Sequence, residues 1–344
     1  MNIDSDKIAK LRELLSAPAQ RIVIVTHTNP DGDAIGSSLA WKRVLESQGH
    51  TVTCLVPNRY PSFLEWMEGI GEVGIFKEDK EGVLAARVRE AQIVFCLDFN
   101  QISRLENLSD VLMENTAAPR VLIDHHLNPP LEEYALAFSH PESCSTAFLV
   151  YKIIESYAGI DLIDTAMGEG LYVGMMTDTG NFSFSNLTPE LYRSVAVLLE
   201  KGIDIPRINV SVYNSYSEGR VRLLGYSIYQ KMGVIQHGTV AYIALKESEL
   251  RRFDFQLGDS EGFVNYPLSI KSIRMSAMFL QTRKFIRVSL RSRGDVDVNL
   301  FARRYFNGGG HKNAAGGKSF TTVEQTVEYY KKCVAEFFAG EKKE

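Results

Sequence analysis

Arg21-Ile-Val-Ile-Val-Thr26-His27-Thr-Asn-Pro-Asp31-Gly-Asp33-Ala-Ile-Gly36 is the stretch that decides how this chain folds. Unbroken β-branched residues from 22 to 25 read as a strand buried on both faces. Pro-Asp-Gly then turns the chain, and the spacing from about Gly36 to Glu46 is helical. A strand, a polar turn and a helix open a parallel α/β unit. The same grammar recurs downstream, with strands expected at Thr51–Val56, Gln92–Leu97 and Arg120–Ile123. Helical patterns lie between them near Leu84–Glu90 and Arg104–Met113. The expected fold is therefore α/β, a mostly parallel sheet with helices on both faces. Ligands in such sheets bind beyond the carboxyl ends of the strands, where His27, Asp98 and Asp124 all fall.

Two further helices, Ser145–Tyr157 and Thr165–Met176, are expected next, the second delivering Thr177-Asp178-Thr179-Gly180. Residues Thr188 to Tyr216 are helical in pattern with breaks at Gly202 and Pro206, which suits a helical linker. Beyond it, a helix at Gly219–Gln230 and strands at Thr239–Leu245 and Phe285–Leu290 read as a smaller α+β domain. At 344 residues the chain is long for one core, and two domains are expected. The boundaries are read as 1–187, a linker at 188–216, and 217–344.

Hydrophobic residues at 45% and charged residues at 23% describe a globular chain, not a disordered one. The four cysteines, Cys54, Cys96, Cys144 and Cys333, form no CxxC pair and read as free thiols. Cys144 lies near an expected helix start, where a thiolate can be activated, yet no base partner follows it. Met1–Glu13 has no apolar segment of the signal-peptide kind, and no apolar run reaches the roughly 20 residues of a membrane span. The cytoplasm is the expected address. The net charge of −4 hides an asymmetry: Lys271 to Lys318 carries eleven Lys or Arg against Asp295 and Asp297. A basic segment beside an acidic half points to an anionic substrate.

The acidic and imidazole residues carry the chemistry. In the His27–Gly36 turn, the plain reading is a strand-to-helix turn with Asp33 or a nearby Ser as the N-cap. An EF-hand is excluded, because Ile35 replaces its third oxygen ligand and Lys42 stands where its bidentate Glu belongs. The functional reading is that His27, Asp31 and Asp33 fold back on one turn as an imidazole and two carboxylates facing metal ions. Asp98 ends an apolar run and is either a helix cap or a ligand. Arg104, six residues on, would grip a phosphate oxygen bidentately or pair with Glu106 or Asp110. In Asp124-His125-His126 the adjacent histidines point in different directions, so one can bind metal while the other meets substrate. Asp124 would fix an imidazole tautomer. Asp178 is the last carboxylate of the set. Clustered carboxylates and imidazoles at strand ends suit two divalent metals and phosphoester hydrolysis.

Phe306-Asn-Gly308-Gly309-Gly310-His311-Lys-Asn-Ala314-Ala315-Gly316-Gly317 lies in the basic segment. Glycines there let the backbone approach a ligand and expose N–H groups to phosphate. Gly317-Lys318-Ser319 echoes a P-loop ending, but Lys312 occupies the place of its first glycine, so that motif is rejected. With His311 beside them, the glycines read as a substrate grip.

Together these segments resemble the DHH phosphoesterase superfamily, named for the triplet found here at Asp124-His125-His126. The Gly-Gly-Gly-His and Ala-Ala-Gly-Gly segment is similar to the signature of the DHH-associated C-terminal domain. Length and domain content resemble the NrnA-type oligoribonuclease and pAp phosphatase group. The resemblance spans nearly the whole chain and implies a catalytic domain, a helical linker and a substrate domain with catalysis in the cleft between them. It implies that His27, Asp31 and Asp98 hold one Mn²⁺ and that Asp33, Asp98, His125 and Asp178 hold a second, Asp98 bridging. It implies that His126 contacts the scissile phosphate and assists the leaving oxygen. Arg104, Arg291, Ser292, the Gly308–Gly310 amides and His311 would hold substrate phosphates. Mg²⁺ or Co²⁺ can replace Mn²⁺ in such a mixed ligand set. One departure is Ser183, where family members often carry a basic residue. The implied substrates are very short single-stranded oligoribonucleotides and pAp (adenosine 3′,5′-bisphosphate), with no membrane partner and a homodimer compatible with apolar helix faces. Cyclic di-AMP or linear dinucleotides are the alternative substrates. A non-catalytic nucleotide-binding module is a further alternative, but it would be marked by lost ligands, and every ligand position is intact.

Overall fold

The computed structural model describes residues 1–183, 186–256 and 258–340. Residues 184–185, 257 and 341–344, which fall within the expected domain ranges, lie outside the described residues. The chain forms two compact units, Met1–Ser215 and Tyr216–Glu344.

The first unit is built on strands β1 (Arg21–Thr26), β2 (Thr51–Val56), β3 (Gly74–Ile75), β4 (Ile93–Leu97), β5 (Arg120–Asp124) and β6 (Leu136–Ser139). They run parallel in the order β3-β2-β1-β4-β5-β6. Its helices are α1 (Ser5–Leu14), α2 (Gly32–Ser47), α3 (Val83–Arg89), α4 (Asn107–Glu114), α5 (Thr146–Tyr157), α6 (Thr165–Asp178), α7 (Pro189–Glu200) and α8 (Ile205–Tyr213). The alternation inside β1 explains the two-sided burial: Ile22 and Ile24 join the core under α1, α2, α5 and α6. Val23 and Val25 join a second core under α3 and α4. Each buried Val or Ile contributes roughly 1.5–3 kcal/mol. The helices expected as a linker, α7 and α8, bury Leu191, Leu198, Ile208 and Val212 in the first of these cores.

Three local expectations change. The helix expected from Gly36 begins at Gly32, and its N-cap is Asp31, not Asp33 or a serine; the Asp31 Oδ1 accepts the N–H groups of Asp33 and Ala34. Arg104 is not on a helix that runs to Met113. It lies in a single turn, Ile102–Leu105, cut from α4 by Glu106 at φ +50°. Cys144 is buried, and burial pushes its thiol up to about 12, which removes it as a nucleophile.

The second unit carries α9 (Glu218–Gln230), β7 (Met232–Ile235), β8 (Val240–Leu245), α10 (Glu247–Arg252), β9 (Met275–Gln281), β10 (Ile286–Ser292), α11 (Val298–Tyr305), β11 (Gly309–His311), β12 (Ala314–Ser319) and α12 (Val323–Gly340). Its mixed sheet runs β11-β12-β10-β9-β8-β7, antiparallel except for the β8–β9 pair. One face packs on α11 and α12 through Phe279, Phe301 and Tyr330. Leu223 of α9 and Leu250 of α10 cover part of the other.

Candidate metal centre

Three consecutive parallel strands supply the site. His27 follows β1, Asp98 follows β4, and Asp124 closes β5 ahead of His125 and His126. The remaining carboxylates come from helix ends: Asp31 and Asp33 at the start of α2, Asp178 at the end of α6. Small residues make that last juxtaposition possible. A Cβ on Gly36 of α2 would lie 2.1 Å from the Gly170 carbonyl oxygen of α6. One on Gly174 would lie 2.6 Å from Asp33 Oδ1. With no Cβ at either position the two helices close up and bring Asp33 near Asp178.

Three groups of ligand atoms converge. They are His27, Asp31 and Asp98; Asp33, His125 and Asp178; and Asp98, Asp124 and His126, the atoms of each lying within 4.8 Å of one another. Asp98 faces in two directions. Its Oδ2 is 3.4 Å from His27 Nε2, and its Oδ1 is 3.6 Å from His125 Nε2. His125 Nε2 is also 3.1 Å from Asp178 Oδ2 and 3.9 Å from Asp33 Oδ2.

Backbone carbonyls set the imidazoles. His27 Nδ1 meets the Thr28 carbonyl oxygen at 2.8 Å, and His125 Nδ1 meets that of Ser143 at 3.2 Å. A carbonyl oxygen can only accept, so both Nδ1 atoms carry the proton and both Nε2 atoms face the carboxylates. His126 Nδ1 is held by Asp124 Oδ1 at 2.7 Å. Three hydrogen bonds not anticipated from the sequence complete the frame. Both Asp33 oxygens accept N–H groups from the first turn of α5, from Thr146 at 2.6 Å and Ala147 at 2.8 Å. The Thr146 hydroxyl donates to Asp98 Oδ1 at 2.9 Å. Ser145-Thr146 is visible in the sequence as a helix start, but nothing local links it to residues 33 or 98.

Burial and mutual charge set the electrostatics of the site. Burial and then the neighbouring Asp98 charge raise the Asp33 carboxyl well above its ordinary value. Burial also raises Asp31, with Asp98 and Asp178 adding to it against His27. For His27, burial disfavours the imidazolium, but Asp98 and Asp31 outweigh it and raise the value. Burial opposes charge on His125 too, and Asp178, Asp98 and Asp33 carry it well upward. Asp98 goes the other way: His27, His126 and His125 overcome its burial and hold it ionised. The remaining Asp124 oxygen, Oδ2, is buried without a hydrogen-bond partner. A mixed nitrogen and oxygen donor set with crowded, desolvated carboxylates fits divalent cations.

Arg104 reaches this edge because its carbonyl oxygen accepts the Thr28 N–H at 2.9 Å. Its charge acts on His27, and among the described residues it makes no ion pair with Glu106 or Asp110. Ser183 is exposed and donates to the Asn181 carbonyl.

The other expected substrate residues lie in the second unit. Arg291 is on β10 opposite Ala314 of β12, and His311 on β11 also opposes Ala314. Ser292 is buried; its hydroxyl donates to the Val296 carbonyl at 2.6 Å and accepts from Asn313 at 2.8 Å, so its proton is already engaged. Gly308 N–H is engaged by the Ala302 carbonyl and Gly310 N–H by Asn299 Oδ1, and Gly309 pairs with Gly316 across β11 and β12. Gly310 sits at φ +147°, where a side chain would be strained and would strike the Ala314 carbonyl.

Buried carboxylates and imidazoles at the carboxyl edge of a parallel sheet define a metal-dependent phosphoesterase. Residues 21–175 match the DHH family, N-terminal domain, and residues 237–338 match the DHHA1 domain. The chain belongs to the DHH family. Among solved structures, it is 39% identical to an exopolyphosphatase-related protein from Bacteroides fragilis, covering 97% of both chains with a TM-score of 0.90. A bifunctional oligoribonuclease and PAP phosphatase NrnA of Thermus thermophilus is 29% identical over 90% of this chain and 88% of its own length. The cyclic-di-AMP phosphodiesterase GdpP of Bacillus subtilis is 24% identical over 96% of this chain and 50% of its own length. Among the described residues, no helix is long and apolar enough to cross a membrane.

Proposed function

We propose that the protein is a cytoplasmic Mn²⁺-dependent hydrolase that degrades very short oligoribonucleotides to mononucleotides and dephosphorylates pAp to AMP. The observation that carries this reading is the similarity to the Thermus thermophilus oligoribonuclease and PAP phosphatase over nine-tenths of the chain. The donor set at residues 27, 31, 33, 98, 125 and 178 supports it. His27, Asp31 and Asp98 would hold one divalent ion; Asp33, Asp98, His125 and Asp178 would hold a second. Such ions, when bound, activate water and neutralise charge growing on the phosphoryl oxygens.

The protein's own groups do the rest. Asp124, fixed on His126 Nδ1, sets the tautomer and supports positive charge on that ring. His126 then gives a proton to the departing oxygen. The Arg104 guanidinium takes a phosphate oxygen pair. Arg291, Ser292, His311 and the Gly308–Gly310 amides are the second unit's candidates for further phosphate contacts. The Arg291 guanidinium, which donates to the Leu290 carbonyl, Ser292, and the Gly308 and Gly310 amides would exchange the partners they have in the fold. A second reading, cleavage of cyclic di-AMP or its linear dinucleotide, draws on the similarity to the Bacillus subtilis phosphodiesterase.

The test is product formation with Mn²⁺ from a diribonucleotide, a much longer RNA, pAp, cyclic di-AMP and pyrophosphate, assayed in parallel. Preferred turnover of the dinucleotide and pAp supports the first reading. Preference for cyclic di-AMP replaces it with the second, and no turnover of any of them in the presence of Mn²⁺ rejects both.

A further inference from the structure

We propose that Thr146 is a positioning residue that aims the Asp98 carboxylate between the two groups of candidate metal ligands. The inference rests on the metal-dependent reading above and adds a residue outside the acidic and histidine set.

Thr146 is fully buried and is the first residue of α5, capped by the Ser145 hydroxyl, which accepts the Phe148 N–H. A threonine inside a helix gives its proton to the carbonyl four residues back. At the first helical position no preceding turn exists, so the hydroxyl is left to serve something else. Here it donates to Asp98 Oδ1 at 2.9 Å. The direction of the bond is forced, because an ionised carboxylate only accepts.

This bond matters because it is the close contact on Oδ1, while His27 acts on the other oxygen, Oδ2. A carboxylate turns about a soft sp³–sp² torsion. His125 Nε2 at 3.6 Å and His126 Nδ1 at 3.9 Å are beyond hydrogen-bond reach of Oδ1. Asp98 also sits at φ +63°, in the left-handed region, so its backbone conformation is itself unusual. With Oδ1 pinned by Thr146, Oδ2 stays 3.4 Å from His27 Nε2. The two oxygens are thus divided between the His27 side and the His125 side, as a bridging carboxylate requires. The same helix end holds Asp33 through the Thr146 and Ala147 amides. One turn of α5 therefore sets two carboxylates that enter the site from different elements.

The experiment titrates Mn²⁺ alone into metal-depleted full-length protein by calorimetry, for wild type, T146V and T146S. Thermal melts in chelator accompany each titration. Removing a hydrogen bond to a metal ligand typically weakens affinity about 10–100-fold, and that loss is expected for T146V, with a melt in chelator that is lowered by the lost bond to a buried carboxylate but stays cooperative. T146S keeps the hydroxyl and is expected to bind as wild type does. T146V binding as tightly as wild type overturns the inference, and so does T146S binding as weakly as T146V. No Mn²⁺ binding by wild type overturns the metal-dependent reading itself and this inference with it.

Discussion

Asp98 is the residue on which most of the site depends, since its two oxygens face different imidazoles. Exchange for Asn keeps the shape but replaces one acceptor oxygen with a donor and removes the charge. Asp98→Asn is expected to abolish turnover with the fold intact, and near-normal activity would refute the bridging role. The titrations give a second expectation. Asp31, Asp33, His27 and His125 all have values raised in the folded protein. A raised value contributes stability at low pH that is lost as pH climbs through the folded value. For the two histidines this loss sets in above the ordinary imidazole value of 6.5. On the proposed reading Mn²⁺ would compensate the charge laid bare there, so its increment in melting temperature should grow as pH rises above 6.5. Melts with saturating Mn²⁺ and with chelator across that range measure the increment, and a flat or shrinking one would count against the site. At this scale much was legible: a histidine or aspartate just after a β-branched run declares itself. Thr146 did not, because its meaning lies in a partner 48 residues away.

The elements show where short-range reading stops. The four parallel strands β1, β2, β4 and β5 were legible from their apolar runs, which burial on both faces favours, whereas the short edge strands β3 and β6 were not. β12 was not, since Ala-Ala-Gly-Gly has no strand propensity and is extended only because β10 and β11 pair with it. The break before α4 was equally hidden. Ile102, Leu105, Leu108 and Leu112 all reach one core, a spacing that reads as a continuous helix, and the left-handed Glu106 leaves no mark on it. The contact between α2 and α6 supplies this scale's prediction. Gly36→Ala places a methyl against the Gly170 carbonyl and is expected to cost about 1–3 kcal/mol of stability in chelator. Denaturant unfolding measures that loss, and a separate Mn²⁺ titration should show weaker binding as Asp33 is pushed from Asp178. Unchanged stability and affinity would show that the helices tolerate the extra separation.

For the molecule as a whole, charge is unevenly held. A chain of net charge −4 places eleven Lys or Arg and two acids between residues 271 and 318. Attraction of an oligonucleotide to such a segment is screened by salt, with a Debye length of about 10 Å at 0.1 M. KM for a dinucleotide should therefore rise with ionic strength while kcat changes little, and a salt-independent KM would remove the segment from substrate capture. The division into two units was legible from length and from the change in strand pattern. That the helices at 189–200 and 205–213 pack on the first core was not, because amphipathic spacing says which face is buried and not what buries it.

The order in which the candidate ligands occur along the chain has a consequence for synthesis. The donors arrive at residues 27, 31, 33, 98, 125 and 178, and the α5 amides that hold Asp33 come at 146 and 147. A nascent chain leaving the ribosome exposes its first carboxylates long before the helix ends that complete the set. On the proposed reading the centre would be assembled only when α6 emerges, and a polypeptide stalled earlier would carry most of the candidate donors without Asp178.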